Sequence, residues 1–160
     1  MNKEDRLLRG FRDIYNKTIC LNKSKMETRL NSYKPSEVHC IEYIGKNADA
    51  NVTKLAESFY MTRSAASKIT QKLIGKGLIE SYQKPENKKE IYFKLTEQGK
   101  AISRIHDDLH KEFQERDKVV FDQITKEQWE NMLSFVEIYN NHLDAEIQKS
   151  GADVNVNKPE

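Results

Sequence analysis

Between residues 36 and 95 the hydrophobic period changes from helical to alternating, and few folds accommodate that order of elements. Pro35 and Ser36 open a helix, with Ser36 as its N-cap, whose apolar face is Val38, Ile41, Tyr43 and Ile44 and which ends near Gly45. Val52-Thr53 starts a short helix with Leu55, Ala56 and Phe59 inward. Met61 and Thr62 make a tight break, and Thr62 caps a helix over 63–75 with Ala66, Ile69 and Leu73 on its inner face. Gly75 and Gly77 end it. The pattern then becomes period two: Leu78 to Gln83 reads as one strand and Ile91 to Leu95 as another, with Ile91, Phe93 and Leu95 on one face. Residues 84–90, Lys-Pro-Glu-Asn-Lys-Lys-Glu, form a polar hairpin tip between them.

Two short helices joined by a tight turn and followed by a strand–hairpin–strand describe a winged helix-turn-helix. Its second helix must carry small and polar side chains outward to enter a DNA major groove about 12 Å wide. Ser64, Ala65 and Ser67 are small enough for close approach, and Arg63, Lys68, Gln71 and Lys72 can reach base edges or phosphates. With Thr62 at the helix start, and Lys88 and Lys89 at the wing tip, these are the expected DNA-binding residues. Charge agrees. The whole chain is only +2, but residues 60–94 hold eight basic residues against three acidic ones. A local basic stretch on a nearly neutral chain is the electrostatic footprint of a nucleic-acid binder.

Long helices flank this core. Leu7, Leu8, Phe11, Ile14, Tyr15, Thr18 and Ile19 recur at helical spacing and predict a first helix over roughly 3–22, followed by a polar, irregular stretch over 23–34. Thr96 caps a long helix carrying Ile102, Ile105, Leu109, Phe113 and Val120. Thr125 and Gln128 form a capping box for the last helix, whose inner face runs from Trp129 through Met132, Leu133, Val136, Tyr139 and Leu143 to Ile147. That last helix is roughly 24 residues, about 36 Å at 1.5 Å per residue, longer than a small winged domain can cover alone. The expected organisation is a single mainly α unit over 1–149 with a small β-wing. Its DNA-binding core is 36–95, with dimerisation helices in 1–34 and 96–149 and a disordered tail over 150–160. Six Gly and three Pro in 160 residues favour helix over long loops. There is no long apolar run and no signal-like N-terminus, so a cytoplasmic protein with no membrane contact is expected.

Three segments together resemble the MarR family. They are Thr53-Lys54-Leu55-Ala56-Glu57; Met61 to Ile69 (Met-Thr-Arg-Ser-Ala-Ala-Ser-Lys-Ile) with Lys76-Gly77-Leu78-Ile79-Glu80; and Tyr92-Phe93-Lys94-Leu95-Thr96-Glu97-Gln98-Gly99 after the wing. With the flanking helices the resemblance covers about residues 3–148. It implies a two-fold dimer built by the first and last helices, one winged domain on each half-site of a pseudo-palindromic operator, and a repressor-like role governed by a small ligand, oxidant or metal. One departure stands out. The family usually carries Asp-x-Arg at the wing tip, where this chain has Asn87-Lys88-Lys89. Lysine keeps the charge but lacks the planar fork of arginine.

His39, His106 and His110 are the candidate effector ligands; His142 lies apart. His106 and His110 are spaced i, i+4 and project from one side of a helix, where neutral imidazoles can share one metal ion. The three positions resemble those of the zinc-responsive members of the family, which implies Zn²⁺ or another divalent metal, with Glu27 as the fourth ligand. The alternatives are that these histidines line a small-molecule pocket, or that Cys20 or Cys40 senses an oxidant. His106-Asp107-Asp108-Leu109-His110 is similar to the metalloprotease helix but has Asp107 where that chemistry needs Glu, and no phosphate loop or nucleophile elbow occurs, so an enzyme is not expected. A protein-interaction module without DNA binding is the remaining alternative; the basic outward face at Arg63, Lys68 and Lys72 argues against it.

Overall fold

A computed structural model describes residues 2–150. Six helices and one hairpin follow in the order α1 (Lys3–Leu30), α2 (Pro35–Lys46), α3 (Val52–Ser58), α4 (Arg63–Gly75), β1 (Ile79–Lys84), β2 (Asn87–Leu95), α5 (Glu97–Phe121) and α6 (Lys126–Ser150). This is the expected winged helix-turn-helix between long terminal helices. The strands pair antiparallel, Ile79 opposite Leu95 and Tyr82 opposite Tyr92, with an irregularity between Tyr82 and Lys84. A further bridge joins Ala50 to Phe93 and ties the α2–α3 loop to the wing.

The core beneath the wing is Cys40, Ile41 and Ile44 of α2, Leu55 and Ala56 of α3, Ala66 and Leu73 of α4, and Leu78, Ile79 and Phe93 of the hairpin. A second cluster joins Leu30, Val38, Leu109 and Phe113 where α1 and α2 meet α5. Gly99 lets α5 start hard against the hairpin: a Cβ there would lie 2.0 Å from the Leu78 carbonyl oxygen. Thr96 fixes the same junction, its hydroxyl donating to the Gly77 carbonyl and accepting the Gly99 amide.

Several boundaries differ from those expected. The first helix runs on to Leu30 rather than ending near residue 22. Its polar second half is amphipathic on tertiary grounds: Leu30 and Met26 enter the second core cluster, while Lys25 and Arg29 both bind Glu112 of α5, at 3.0 and 2.8 Å. The N-cap of α2 is Lys34, not Ser36. Pro35 takes the first helical position, which has no use for an N–H, and Glu37 reaches back to accept the Lys34 amide at 3.0 Å. Strand β2 begins at Asn87, so the turn is only Pro85-Glu86, and Lys88 and Lys89 stand on the strand just beyond it. Ile91 is exposed, leaving Phe93 and Leu95 as the inward residues. Thr70, read as neither face, is buried, its hydroxyl donating to the Ser67 carbonyl. Ser150 is the last residue of α6; the rest of the expected tail, 151–160, lies outside the described residues.

No residue of α6 is buried. Leu133, Val136 and Leu143 on α6, Leu7, Leu8 and Phe11 on α1, and Val119, Val120 and Phe121 at the end of α5 are all exposed in the single chain. Each is already about half covered, so full burial would gain it roughly 1 kcal/mol, about half the value for an exposed side chain, and together these faces suit a covering surface. None of the described helices is long and apolar enough to cross a membrane.

Candidate nucleic-acid interface and metal centre

The α3–α4 turn is tight because Tyr60 adopts a left-handed backbone conformation, φ 49°, and the Met61 amide returns to the Ala56 carbonyl. Thr62 then caps α4, its Oγ1 accepting the Ala65 amide at 3.1 Å. That leaves its hydroxyl proton free to donate outward. Arg63, Ser64, Lys68, Gln71 and Lys72 of α4 are exposed, Ala65 and Ser67 half-buried. The face is the one the sequence predicted, and its relief is low at the N-terminal end of the helix.

Ion pairing sorts the basic stretch into two groups. Lys72 and Lys76 both engage Glu37 of α2, at 3.2 and 2.9 Å, Lys84 engages Asp49 at 2.6 Å, and Lys94 engages Glu80 at 3.2 Å. Arg63, Lys68, Lys88 and Lys89 make no ion pair among the described residues. Lys72, named from sequence as a DNA contact, is therefore partly spent inside the protein. Glu37 is only 2% exposed. Burial raises its pKa, but Lys76, the Lys34 amide and Lys72 outweigh that and hold the carboxyl below its usual range. Nothing in the local sequence marked it, because its partners are 35 and 39 residues away.

The wing is anchored at its base. Asp49, itself at φ 57°, accepts from the Tyr82 hydroxyl at 2.8 Å and from Lys84 at 2.6 Å, and Asn51 donates to Glu90 at 3.0 Å. The Gln83 side chain donates to the Lys88 carbonyl at 2.6 Å, which stiffens the turn and leaves the Lys88 and Lys89 side chains outward.

The histidines lie at the α2–α5 seam. His106 Nε2 is 3.0 Å from His110 Nε2, so one ring donates and the other accepts. The His39 ring meets His106 edge-on with centroids 6.0 Å apart, and also stacks on Phe59. His106 is 1% exposed; burial first, then the neighbouring His110, lowers its pKa and keeps it neutral, with a lone pair to offer. Its Nδ1 has no hydrogen-bond partner. The carboxylate beside it is Glu42, Oε2 at 3.6 Å, and not Glu27, which stands exposed on α1 and pairs with Lys23 at 3.7 Å. Among the described residues, ligand atoms of Glu42, His106 and Asp107 all lie within 4.8 Å of one another. Glu42 is three residues after His39 on α2, which places both on one helix face, but that spacing alone does not single it out over Glu27.

Cys20 is exposed on α1. Cys40 is fully buried in the core, and burial pushes its thiol up to about 11, which leaves almost no thiolate for oxidation at neutral pH.

The MarR family sequence model matches residues 34–91, the stretch that holds α2, the helix-turn-helix and most of the wing. The HTH-type transcriptional regulator PchR of Bacillus subtilis is 31% identical over 148 residues, covering 84% of this chain and 88% of PchR. The chain belongs to the MarR family. Among solved structures, FabT of Streptococcus pneumoniae, determined in complex with DNA, superposes with a TM-score of 0.75 at 21% identity over 89% of this chain and 99% of FabT. MepR of Staphylococcus aureus, also determined with DNA, gives a TM-score of 0.69 at 18% identity over 89% of this chain and 99% of MepR. These two likenesses establish the MarR fold along the chain, terminal helices included. The family and PchR are transcriptional regulators and not enzymes.

Proposed function

We propose that this MarR-family chain is a homodimeric, sequence-specific DNA-binding regulator of repressor type, controlled by a divalent metal held at the α2–α5 seam around His39, His106 and His110. The observation that carries the DNA reading is the sorting of cations. Four side chains without ion-pair partners among the described residues, Arg63, Lys68, Lys88 and Lys89, stand on the recognition helix and on the adjoining wing strand. Uncommitted cations on a groove-sized helix and its neighbour are what phosphate and base-edge contact requires. Thr62, Ser64, Ala65, Ser67 and Gln71 complete the surface, and Lys72 joins it on release from Glu37. The unpartnered apolar faces of α1, α5 and α6 support the dimer. A two-fold pair of such domains reads half-sites about 34–36 Å apart, one helical turn.

The metal reading is supported by the neutral, buried His106 with its orphaned Nδ1 and by the i, i+4 contact to His110. The buried thiol of Cys40 speaks against oxidant sensing there.

The test is fluorescence anisotropy of the purified protein on fragments of its own upstream region, with a scrambled control, over about 50–200 mM salt. Arg63→Ala and Lys68→Ala should each weaken specific binding by about 1–3 kcal/mol. Lys88→Ala with Lys89→Ala should weaken all sequences alike and reduce the salt slope by about one to two units. Unchanged binding in all of these variants would sink the assignment of the interface.

A further inference from the structure

The seam has two edges, and the His106 ring presents one nitrogen to each. Its Nε2 faces His110 at hydrogen-bond distance. Its Nδ1, buried and without a hydrogen-bond partner, faces Glu42, and ligand atoms of Glu42, Asp107 and this ring lie within 4.8 Å of one another. A buried ring nitrogen without a partner loses its hydration uncompensated, and the nearest carboxylate oxygen stops at 3.6 Å, too far to satisfy it. Two ligands of one tetrahedral zinc, each at about 2.0–2.1 Å, lie roughly 3.3 Å apart. The His106–Glu42 gap is thus long for a hydrogen bond and close to the spacing of two ligands on a shared ion.

A cation already sits on this edge. Lys46 Nζ is 2.5 Å from Glu42 Oε1 and 3.6 Å from Asp107 Oδ1, so the ammonium bridges the two carboxylates. The Lys46 side chain is 56% exposed, so its ammonium can swing into solvent.

We propose that a divalent transition-metal ion binds on the Nδ1 edge of His106, ligated by that nitrogen and by the carboxylates of Glu42 and Asp107, in the place the Lys46 ammonium holds. This rests on the metal reading above and fixes the ion's position within the seam. Two carboxylates balance the charge of a divalent ion where a single ammonium left one uncompensated. One imidazole with two carboxylates suits zinc, manganese or ferrous iron, and suits neither the soft ions that prefer thiolate nor calcium. His106 Nε2 keeps its proton and donates it to His110, which orients the ligating ring in the way metal-bound histidines are commonly held. His110 thereby acts as a positioning residue.

Zinc alone, titrated into the full-length protein, tests this by calorimetry and by long-range ¹H–¹⁵N spectra of the histidine rings. On zinc saturation the Nδ1 resonance of His106 should move to the metal-bound position while its Nε2 stays protonated. Asp107→Asn and Glu42→Gln should each weaken zinc binding at least about tenfold. Lys46→Met, which removes the competing ammonium, should tighten it about two- to fivefold, the range for an ion pair open to solvent. If instead the Nε2 atoms of His106 and His110 shift, and Asp107→Asn and Lys46→Met bind zinc as the wild type does, the ion lies on the other edge; this placement is then overturned and the metal reading survives. Absence of both heat and histidine shifts at micromolar zinc would overturn the two together.

Discussion

Glu37→Gln is the most informative single substitution for the link between α2 and the recognition helix. The carboxylate accepts the Lys34 amide at 3.0 Å and sits 2.9 Å from Lys76 Nζ and 3.2 Å from Lys72 Nζ. Glutamine can keep the amide bond at the start of α2 but loses both charge-assisted contacts. A fully buried hydrogen bond to a charged group contributes about 1.5–3 kcal/mol. Here the ammonium side chains are 33% and 51% exposed and regain water when released, which brings each contact down to about 0.5–1 kcal/mol. The expected loss is therefore about 1–2 kcal/mol at pH 7, or roughly 2–8 °C in melting temperature for a chain of this size. The pH dependence fixes the cause. The folded pKa is depressed, so the wild type holds this stability above the unfolded value, near 4.3, and loses it as pH falls through the lowered folded value. Urea unfolding of both proteins from pH 7 downward should show a gap that is constant to about pH 5 and then closes. Equal stability at pH 7, or a gap that persists to acid unfolding, would refute the account of Glu37 as an ionised strut.

Three further outcomes are expected. Gly99→Ala should cost about 1–3 kcal/mol by overpacking, because its Cβ would meet the Leu78 carbonyl oxygen at 2.0 Å and backbone cannot step aside as a side chain would; an unchanged thermal melt would contradict this. Leu133→Asp with Val136→Asp places charges on the exposed apolar face of α6 and should give a monomer by light scattering, with DNA affinity lost in parallel; a variant that stays dimeric would move the interface elsewhere. Asp49→Asn keeps a residue type that tolerates the left-handed backbone but removes the charge that holds Lys84, so amide exchange over 87–92 should quicken several-fold while the melt changes little. Since Lys84 and Tyr82 hold the Asp49 carboxyl below its ordinary range, the wild-type wing should loosen in the same way only as pH falls below that range, and not near neutrality.

The elements were legible in the sequence wherever a local signal existed. Thr62, Thr96 and the Thr125–Gln128 pair are caps, and each caps the helix it was read to cap. The change of period at Leu78 located the wing. Boundaries failed where tertiary contact overrode local chemistry. Residues 23–30 offer only Met26 and Leu30 as an apolar pair, and the helix persists because these two enter the second core cluster, while Glu112, more than eighty residues on, receives Lys25 and Arg29. Lys88 and Lys89 read as a turn because they are polar, yet pairing with β1 carries the ladder out to Asn87. In the seam, sequence spacing found His106 and His110 but could not choose the carboxylate. Glu27 and Glu42 look alike in a string of letters, and only the packing of α2 on α5 brings one of them to the ring.

That packing gives α2 a particular mechanical position. At 100° per residue, Glu37 and His39 point nearly opposite ways, and Glu42 returns to the side of His39. One face of the helix thus grips α4 through the Glu37 ion pairs, while the other carries the groups that face His106 on α5. Ile41 and Ile44 share the Glu37 side and Cys40 borders it, all close-packed in the core, so the helix moves as a body. A ligand that draws the His39–Glu42 face toward α5 must therefore carry Glu37 with it or break the contacts to Lys72 and Lys76. In the first case the recognition helix is turned; in the second Lys72 is released to the DNA face. Either way the effect on DNA affinity is limited to the difference in the ligand's affinity for the two arrangements, and DNA must change the ligand's affinity by the same factor. Zinc titrations with and without operator should therefore differ by the same ratio as DNA titrations with and without zinc, and Glu37→Gln should shrink both ratios equally.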